Sequence, residues 1–207
     1  MPMSLGIPEL ASEALAQDPP VLDFPLFVWG SVARSTRAGT WAFYVDDYRF
    51  EALWRAPQRL VDKGSASAFE PNYSVFDDTP KAVAIWATYR KRYLAKYWQE
   101  RGVRVWVDLC VSHRHSDISL LGVPRGWQRY CTAGFDARVG DLDFELRQAR
   151  RHADGAPFTL AVYGGGKLTQ AWCKDRPSVV HVPRWGAERK RPGEGSRRAA
   201  MRAAARG

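Results

Sequence analysis

Two adjacent carboxylates, Asp46 and Asp47, end an apolar run at residues 41–45 and open a segment with helical patterning at 48–61. In parallel α/β folds, ligands and catalytic groups collect beyond the carboxyl ends of the strands, so polar residues at such a junction are candidates for chemistry. The same order of strand, polar tip and helix recurs downstream. It adds Asn72 and Ser74, Asp108 and Ser112, Thr132, and Tyr163 with Gly164 to the same class. Asp46, Asp47 and Asp108 are the expected catalytic carboxylates; Asn72, Ser74, Tyr163 and Gly164 are expected substrate contacts. Carboxylate, amide and hydroxyl oxygens are hard ligands that suit Mg2+ or Mn2+, with Asp46 and Asp47 as the metal ligands. The structural alternative has Asp47 capping the first helix, Asp46 paired with Arg49 or Arg90, and Asp108 facing solvent at a strand end.

Trp86, Arg90, Tyr93 and Tyr97 recur at i, i+4, i+7 and i+11, one face of a long helical segment, flanked by Tyr89 and Arg92. Aromatic rings mixed with guanidinium groups can stack bases and hold phosphates, which makes Tyr89, Arg90 and Arg92 expected substrate contacts. Core packing competes for the same rings, because nine tryptophans in one domain must mostly fill or cover its core. Trp86 and Tyr93 are therefore expected to be buried, with Arg90 and Arg92 partly exposed near the strand tips. The run from Tyr163 through Gly164, Gly165 and Gly166 to Lys167 can cradle a phosphate on backbone N–H groups, although it lacks the Walker spacing and serves equally as a plain turn. His113 and His115 flank Arg114 and could chelate a metal or resemble the paired histidines of a nicking endonuclease. No nucleophilic tyrosine helix accompanies them by spacing.

The elements that must position these groups alternate. Strands are expected at residues 41–45, 67–73, 103–111, 126–132 and 158–163, with a sixth at 179–182; helices are expected at 48–61, 80–101, 141–152 and 168–174. Asp78 or Thr79 can cap the second helix with Pro80 at its first position, and Gly102 closes it. Units of about 30 residues imply parallel strands joined by right-handed crossovers. The expected fold is α/β, a parallel sheet of five or six strands in β-α repeats, up to an incomplete β/α barrel. At 207 residues and 45% hydrophobic composition the chain supports one core. The expected division is an N-terminal extension at 1–20, one domain at 21–183 and a tail at 184–207.

No apolar stretch approaches the roughly 20 residues of a membrane span, and the proline-punctuated opening lacks a signal-peptide pattern, so a cytoplasmic location in the bacterial host is expected. Cys110, Cys131 and Cys173 are too far apart for a thiolate zinc site and are expected to be reduced. The tail holds eight basic and two acidic residues, hence +6 of the net +9. Arg189, Lys190, Arg191, Arg197, Arg198 and Arg202 are its expected nucleic-acid contacts, with disorder in the free state and counterion release on binding DNA or RNA. A solubilising terminus is the alternative.

The succession FYVDDYRFEALWRAP, EPNYSVFDDTP, IWATYRKRYLAKYWQERGVRVWVDLCVS and AVYG, with GIPEL near the start, resembles domain-of-unknown-function family 4417 of bacteria, phages and plasmids over about residues 6–166. The resemblance lies in the order of the motifs. It is nearly complete at residues 43–54 and supports Tyr89, Arg90 and Arg92, whereas Asn72 stands where relatives carry Asp, and Asp108 lies in a segment that departs from the family pattern. It implies a mobile-element setting and brings no established activity. The expected function is a phage- or plasmid-associated nucleic-acid-binding protein in replication or DNA processing. The alternative is a metal-dependent hydrolase or phosphoryl-transfer enzyme with its site at the strand ends.

Overall fold

A computed structural model describes residues 5–13, 16–30 and 38–184. Seven strands, β1 (Leu26–Val28), β2 (Thr40–Ala42), β3 (Ser67–Phe69), β4 (Arg104–Asp108), β5 (Arg129–Gly134), β6 (Thr159–Gly164) and β7 (Val179–Val182), form one sheet in sequence order. All pairings are parallel. The helices are α1 (Gln58–Val61), α2 (Lys81–Gln99), α3 (Ser116–Ser119), α4 (Asp141–Ala153) and α5 (Lys167–Lys174). Sequential parallel order is the winding of a β/α barrel. Among the described residues β1 does not pair with β7, so the sheet is a half-barrel. Its curl is visible in the rings of Tyr44 and Tyr163, stacked 5.6 Å apart. Tyr163 lies on β6 and Tyr44 just beyond β2, and in a flat sheet those two strands would lie about 19 Å apart at ~4.8 Å per strand.

Side chains alternate between two faces with the period of a strand. Leu26, Val28, Ala42, Phe69, Trp106, Cys131, Ala161, Tyr163 and Val182 meet on the concave side and fill it. Phe27, Trp41, Ala68, Val105, Val107, Tyr130, Leu160 and Val162 face the helices. Burial on both faces is what an all-parallel sheet requires.

The described part of residues 1–20 packs against the sheet domain: Leu10 is buried and donates its N–H to Gly122 O, and Ala16 N–H bonds Gln128. The following segment crosses the amino ends of the strands. Thr40 and Thr159 donate to the carbonyls of Asp23 and Pro20, and Arg104 pairs with the Asp23 carboxylate. The carboxyl ends therefore form the accessible rim.

Three local differences from the sequence expectations have physical reasons. β1 has no expected counterpart, because three apolar residues after Pro25 show no period and become a strand only by pairing with β2. The helix expected at 48–61 divides into two 3-10 turns and α1, interrupted at Phe50 (φ −114°) and by Pro57, whose ring cannot donate a helical hydrogen bond. Pro80 takes the N-cap of α2 itself, while Thr79 Oγ1 accepts from Phe76 N. Among the described residues no helix is long and apolar enough to cross a membrane.

Near the end of α4, buried His152 lies with Nδ1 3.1 Å from the Tyr130 hydroxyl. Burial, reinforced by the charge of Arg125, lowers its pKa to about 4. The unfolded chain takes up this proton near pH ~6.5. Between these values the unfolded state binds more protons, so stability should fall as pH drops from about 6.5 to about 4. Urea midpoints across that range should decline for the parent and decline less for His152→Gln; parallel declines would place the acid sensitivity in another group.

Candidate functional site

The carboxyl ends of β3 and β4 hold a buried ionic cluster. Glu70 follows β3 and Asp108 ends β4; both are fully buried, as are Arg92 and, nearly, Lys91 of α2. Arg92 Nη1 donates to Glu70 Oε1, and its other nitrogens donate to Ser119 O and Leu121 O at 2.6 and 2.8 Å. Glu70 Oε2 accepts from Asp108 N at 3.0 Å. The Asp108 carboxylate accepts from Tyr44 Oη at 2.9 Å, Cys110 N at 3.1 Å and Lys91 Nζ at 3.3 Å. Burial raises the Asp108 carboxyl above the ordinary range, and Lys91 works against that shift. Asp108 is therefore neither solvent-facing nor open to a ligand. Arg92, expected to be partly exposed, is saturated inside the protein. Ala84, Ala87, Thr88 and Ala95 bury the same side of α2, and small side chains there let the helix approach the sheet and carry two basic residues to the strand tips.

Asp46 and Asp47 lie apart from this cluster in their bonding. Asp46 is exposed and sits 3.8 Å from Arg49. Asp47 accepts from Ser74 N and Ser74 Oγ, both at 3.0 Å, and so ties the loop after β2 to the loop after β3. Among the described residues no group of three or more His, Cys, Asp and Glu is arranged to hold a metal. Arg90 pairs with Glu51 at 3.1 Å and covers the Tyr73 ring at 3.9 Å, so its partner is neither Asp46 nor Asp47.

The glycine loop is already occupied by an internal anion. Asp136 Oδ1 accepts from Gly166 N, Thr169 N and Thr169 Oγ1 at 2.7 to 3.0 Å, and Leu168 N lies 3.3 Å from Oδ2. These bonds, chiefly with Thr169, hold the Asp136 pKa at about 2. Gly164 O accepts from His181 Nε2, and Tyr163 is buried against Tyr44. The two histidines after β4 separate: His113 is exposed and its ring lies tilted against Phe144 with centroids 4.2 Å apart, whereas His115 is buried with both ring nitrogens unpartnered.

A cleft of about 730 Å3 opens beyond β3, β4 and β5. Asn72 and Ser74 line it, with Cys110 and Ser112. Of its other polar residues, the sequence reading takes His113 only as a metal or nicking candidate and Asp78 only as a helix cap, and it misses Asp77, Arg138, Asp141 and Glu145. Asp77 accepts from Ser112 Oγ, and Asp141 lies 3.7 Å from Arg138 and 3.8 Å from His113. Glu145 is only 5% exposed, and its Oε2 has no hydrogen-bond partner. Burial pushes its carboxyl well above the ordinary range; the charges of Asp108 and Asp141 add to the shift, and Thr132 and Arg138 oppose it. Burial also pushes the Cys110 thiol to about 12, so it is uncharged at neutral pH.

An aromatic face lies on the outer side of α2. Trp86 is 47% exposed and stacks on Tyr89 at 5.5 Å with 10° between planes. Trp54 meets Trp86, Tyr89 and Tyr93 edge-on at 5.3, 6.0 and 4.9 Å. The expectation that Trp86 is core is thus overturned: fully buried Trp98 fills that place, while Tyr93 is half-buried against the core. Arg189, Lys190, Arg191, Arg197, Arg198 and Arg202 lie outside the described residues.

The Gene 1 protein of Mycobacterium phage L5 is 31% identical over 157 residues, 73% of this chain and 68% of that protein. The Gene 1 protein of Mycobacterium phage D29 is 37% identical over 91 residues, 42% of this chain and 34% of that protein, so the chain spans about a third of it. No solved structure matches the chain. A family model described as Domain of unknown function (DUF4417) matches residues 1–135, which take in β1 to β5 and the cleft wall up to Phe135 but not Glu145. Model and relatives together associate the protein with phages, and with well over half its length in that match the chain belongs to the DUF4417 family.

Proposed function

We propose that this phage-associated chain binds single-stranded nucleic acid, stacking bases on the aromatic face of α2 and contacting phosphates through its basic residues. The observation that carries this reading is the Trp86 ring, exposed to solvent and stacked parallel on half-buried Tyr89. An indole ring is costly to expose, and stacking on a base gives it a partner. Arg90 lies 5.7 Å from the Trp86 ring, exposed Arg55 follows Trp54, and residues 184–207 add +6. The alternative of a hydrolase or phosphoryl-transfer enzyme using Mg2+ or Mn2+ is supported by the cleft beyond the strand ends. It draws less support from Asp46 and Asp47, which are engaged by Arg49 and Ser74.

Fluorescence anisotropy with labelled oligo-dT and a duplex of equal length tests the proposal. The single strand should bind more tightly, and Trp86→Ala should weaken it by about tenfold, within the ~1–3 kcal/mol of one stacked base. Removing residues 184–207 should weaken both ligands and flatten the dependence on salt. Equal affinities of parent and Trp86→Ala for the single strand would overturn the proposal.

A further inference from the structure

We propose that the cleft beyond β3, β4 and β5 binds an organic cation, an amidinium, guanidinium or ammonium group on an apolar frame, and seats it on the Glu145 carboxyl. This goes beyond the nucleic-acid reading and uses none of its aromatic residues.

The charge of the cleft selects the sign of its ligand. Asp77, Asp78 and Asp141 supply three carboxylates against the single guanidinium of Arg138. A phosphate or carboxylate would meet a net negative wall, whereas a cation is attracted to it. The volume and the apolar lining select the kind of cation. About 730 Å3 walled partly by Val75, Phe76, Val111 and Phe135 suits a small organic molecule rather than a bare ion.

Glu145 supplies the anchor. A carboxyl oxygen buried without a partner is a cost that native proteins rarely carry unless a ligand or water meets it. The groups around it are Asp108 at the end of β4, Thr132 on β5, Arg138 in the preceding turn and Asp141 on its own helix, with Cys110 and His113 on the cleft wall. Burial, with the two aspartates adding to it, raises the Glu145 carboxyl well above the ordinary carboxylate range and so favours its protonated form before a ligand binds. When a cation enters, the O–H bond breaks, the proton passes to buffer, and the carboxylate pairs with the ligand. An amidinium or guanidinium can engage both oxygens in a bidentate pair. Binding should therefore release protons and tighten as pH rises.

Calorimetric titration of the full chain with benzamidine and with agmatine, in buffers of different ionisation enthalpy near neutral pH, tests the proposal. Saturable binding at millimolar ligand with release of up to one proton is expected, and benzoate should not bind. Glu145→Gln should weaken binding at least tenfold and abolish the proton release, with its thermal unfolding compared to confirm folding. Asp78→Asn at the exposed rim should weaken binding severalfold. Trp86→Ala should change nothing here, so failure of the nucleic-acid reading and failure of this one are separable. No saturable binding of either cation, binding that Glu145→Gln leaves intact, or binding of Mn2+ in place of both organic cations would overturn the proposal.

Discussion

Arg92→Ala is expected to lower the free energy of unfolding by about 3–5 kcal/mol, because it leaves an uncompensated charge in the interior. Glu70 is fully buried, and the guanidinium is its counter-charge. The substitution also orphans the carbonyls of Ser119 and Leu121, which Arg92 fills through its remaining nitrogens. Arg90→Ala, two residues earlier, provides the comparison. Its partner Glu51 is half exposed, so water takes over the carboxylate and the loss should stay near 1 kcal/mol or less for the ion pair. Urea unfolding followed by tryptophan fluorescence should rank Arg92→Ala far below Arg90→Ala. Combining Arg92→Met with Glu70→Leu should recover part of the loss, since an apolar pair removes the stranded charge. Equal midpoints for Arg92→Ala and Arg90→Ala would show that Glu70 can lose its charge without penalty and that the cluster is not ionic.

The repeating grammar of the chain made the parallel architecture legible, because strand-length apolar runs separated by helix-length segments leave few ways to wind a sheet. β7 coincides with its expected limits, and β4 and β6 lie close to theirs. The ion pairs were not legible. Lys91 and Arg92 meet Asp108 and Glu70 across 17 and 22 residues, and no local spacing announces a pairing made only when α2 docks. The faces of α2 were read by apolarity, which placed Trp86 inside. Close helix–sheet contact instead selected the small side chains Ala84, Ala87 and Ala95, and pushed the large rings of Trp86 and Tyr89 to the outer side.

Two signals at the strand ends could have been found. Glu145 stands within the buried stripe formed by Leu142, Leu146 and Ala149 on α4, so an acid occupies an apolar face. That is the sequence mark of a carboxyl held in the interior, and it points to the cleft more directly than the Asp46–Asp47 pair does. Asp136 precedes the glycine loop by about 30 residues, and a carboxylate lying at the end of one parallel strand can reach the loop after its neighbour. The apparent phosphate cradle is thereby turned into a fixed corner of the fold, which leaves Glu145 as the buried carboxyl of the rim with an oxygen still unbonded.

The reassignment of the two tryptophans on α2 gives the other large expected effect. Trp98→Ala should destabilise the fold by about 3–5 kcal/mol. Its indole is fully buried, stacks on Phe43 with centroids 5.5 Å apart, and donates from Nε1 to Pro57 O at 2.9 Å. Truncation leaves a cavity where α2 meets the turn before α1, and takes the indole donor from the Pro57 carbonyl, which keeps only the longer bond from Leu60 N at 3.4 Å. Trp86→Ala removes one exposed ring and edge contacts to Trp54, so its cost should remain within about 1 kcal/mol. Chemical denaturation of both variants measures the difference directly. If Trp86→Ala unfolds at the lower denaturant concentration, the outer aromatic face carries the stability of the α2 packing, and a role in stacking bases loses its structural basis.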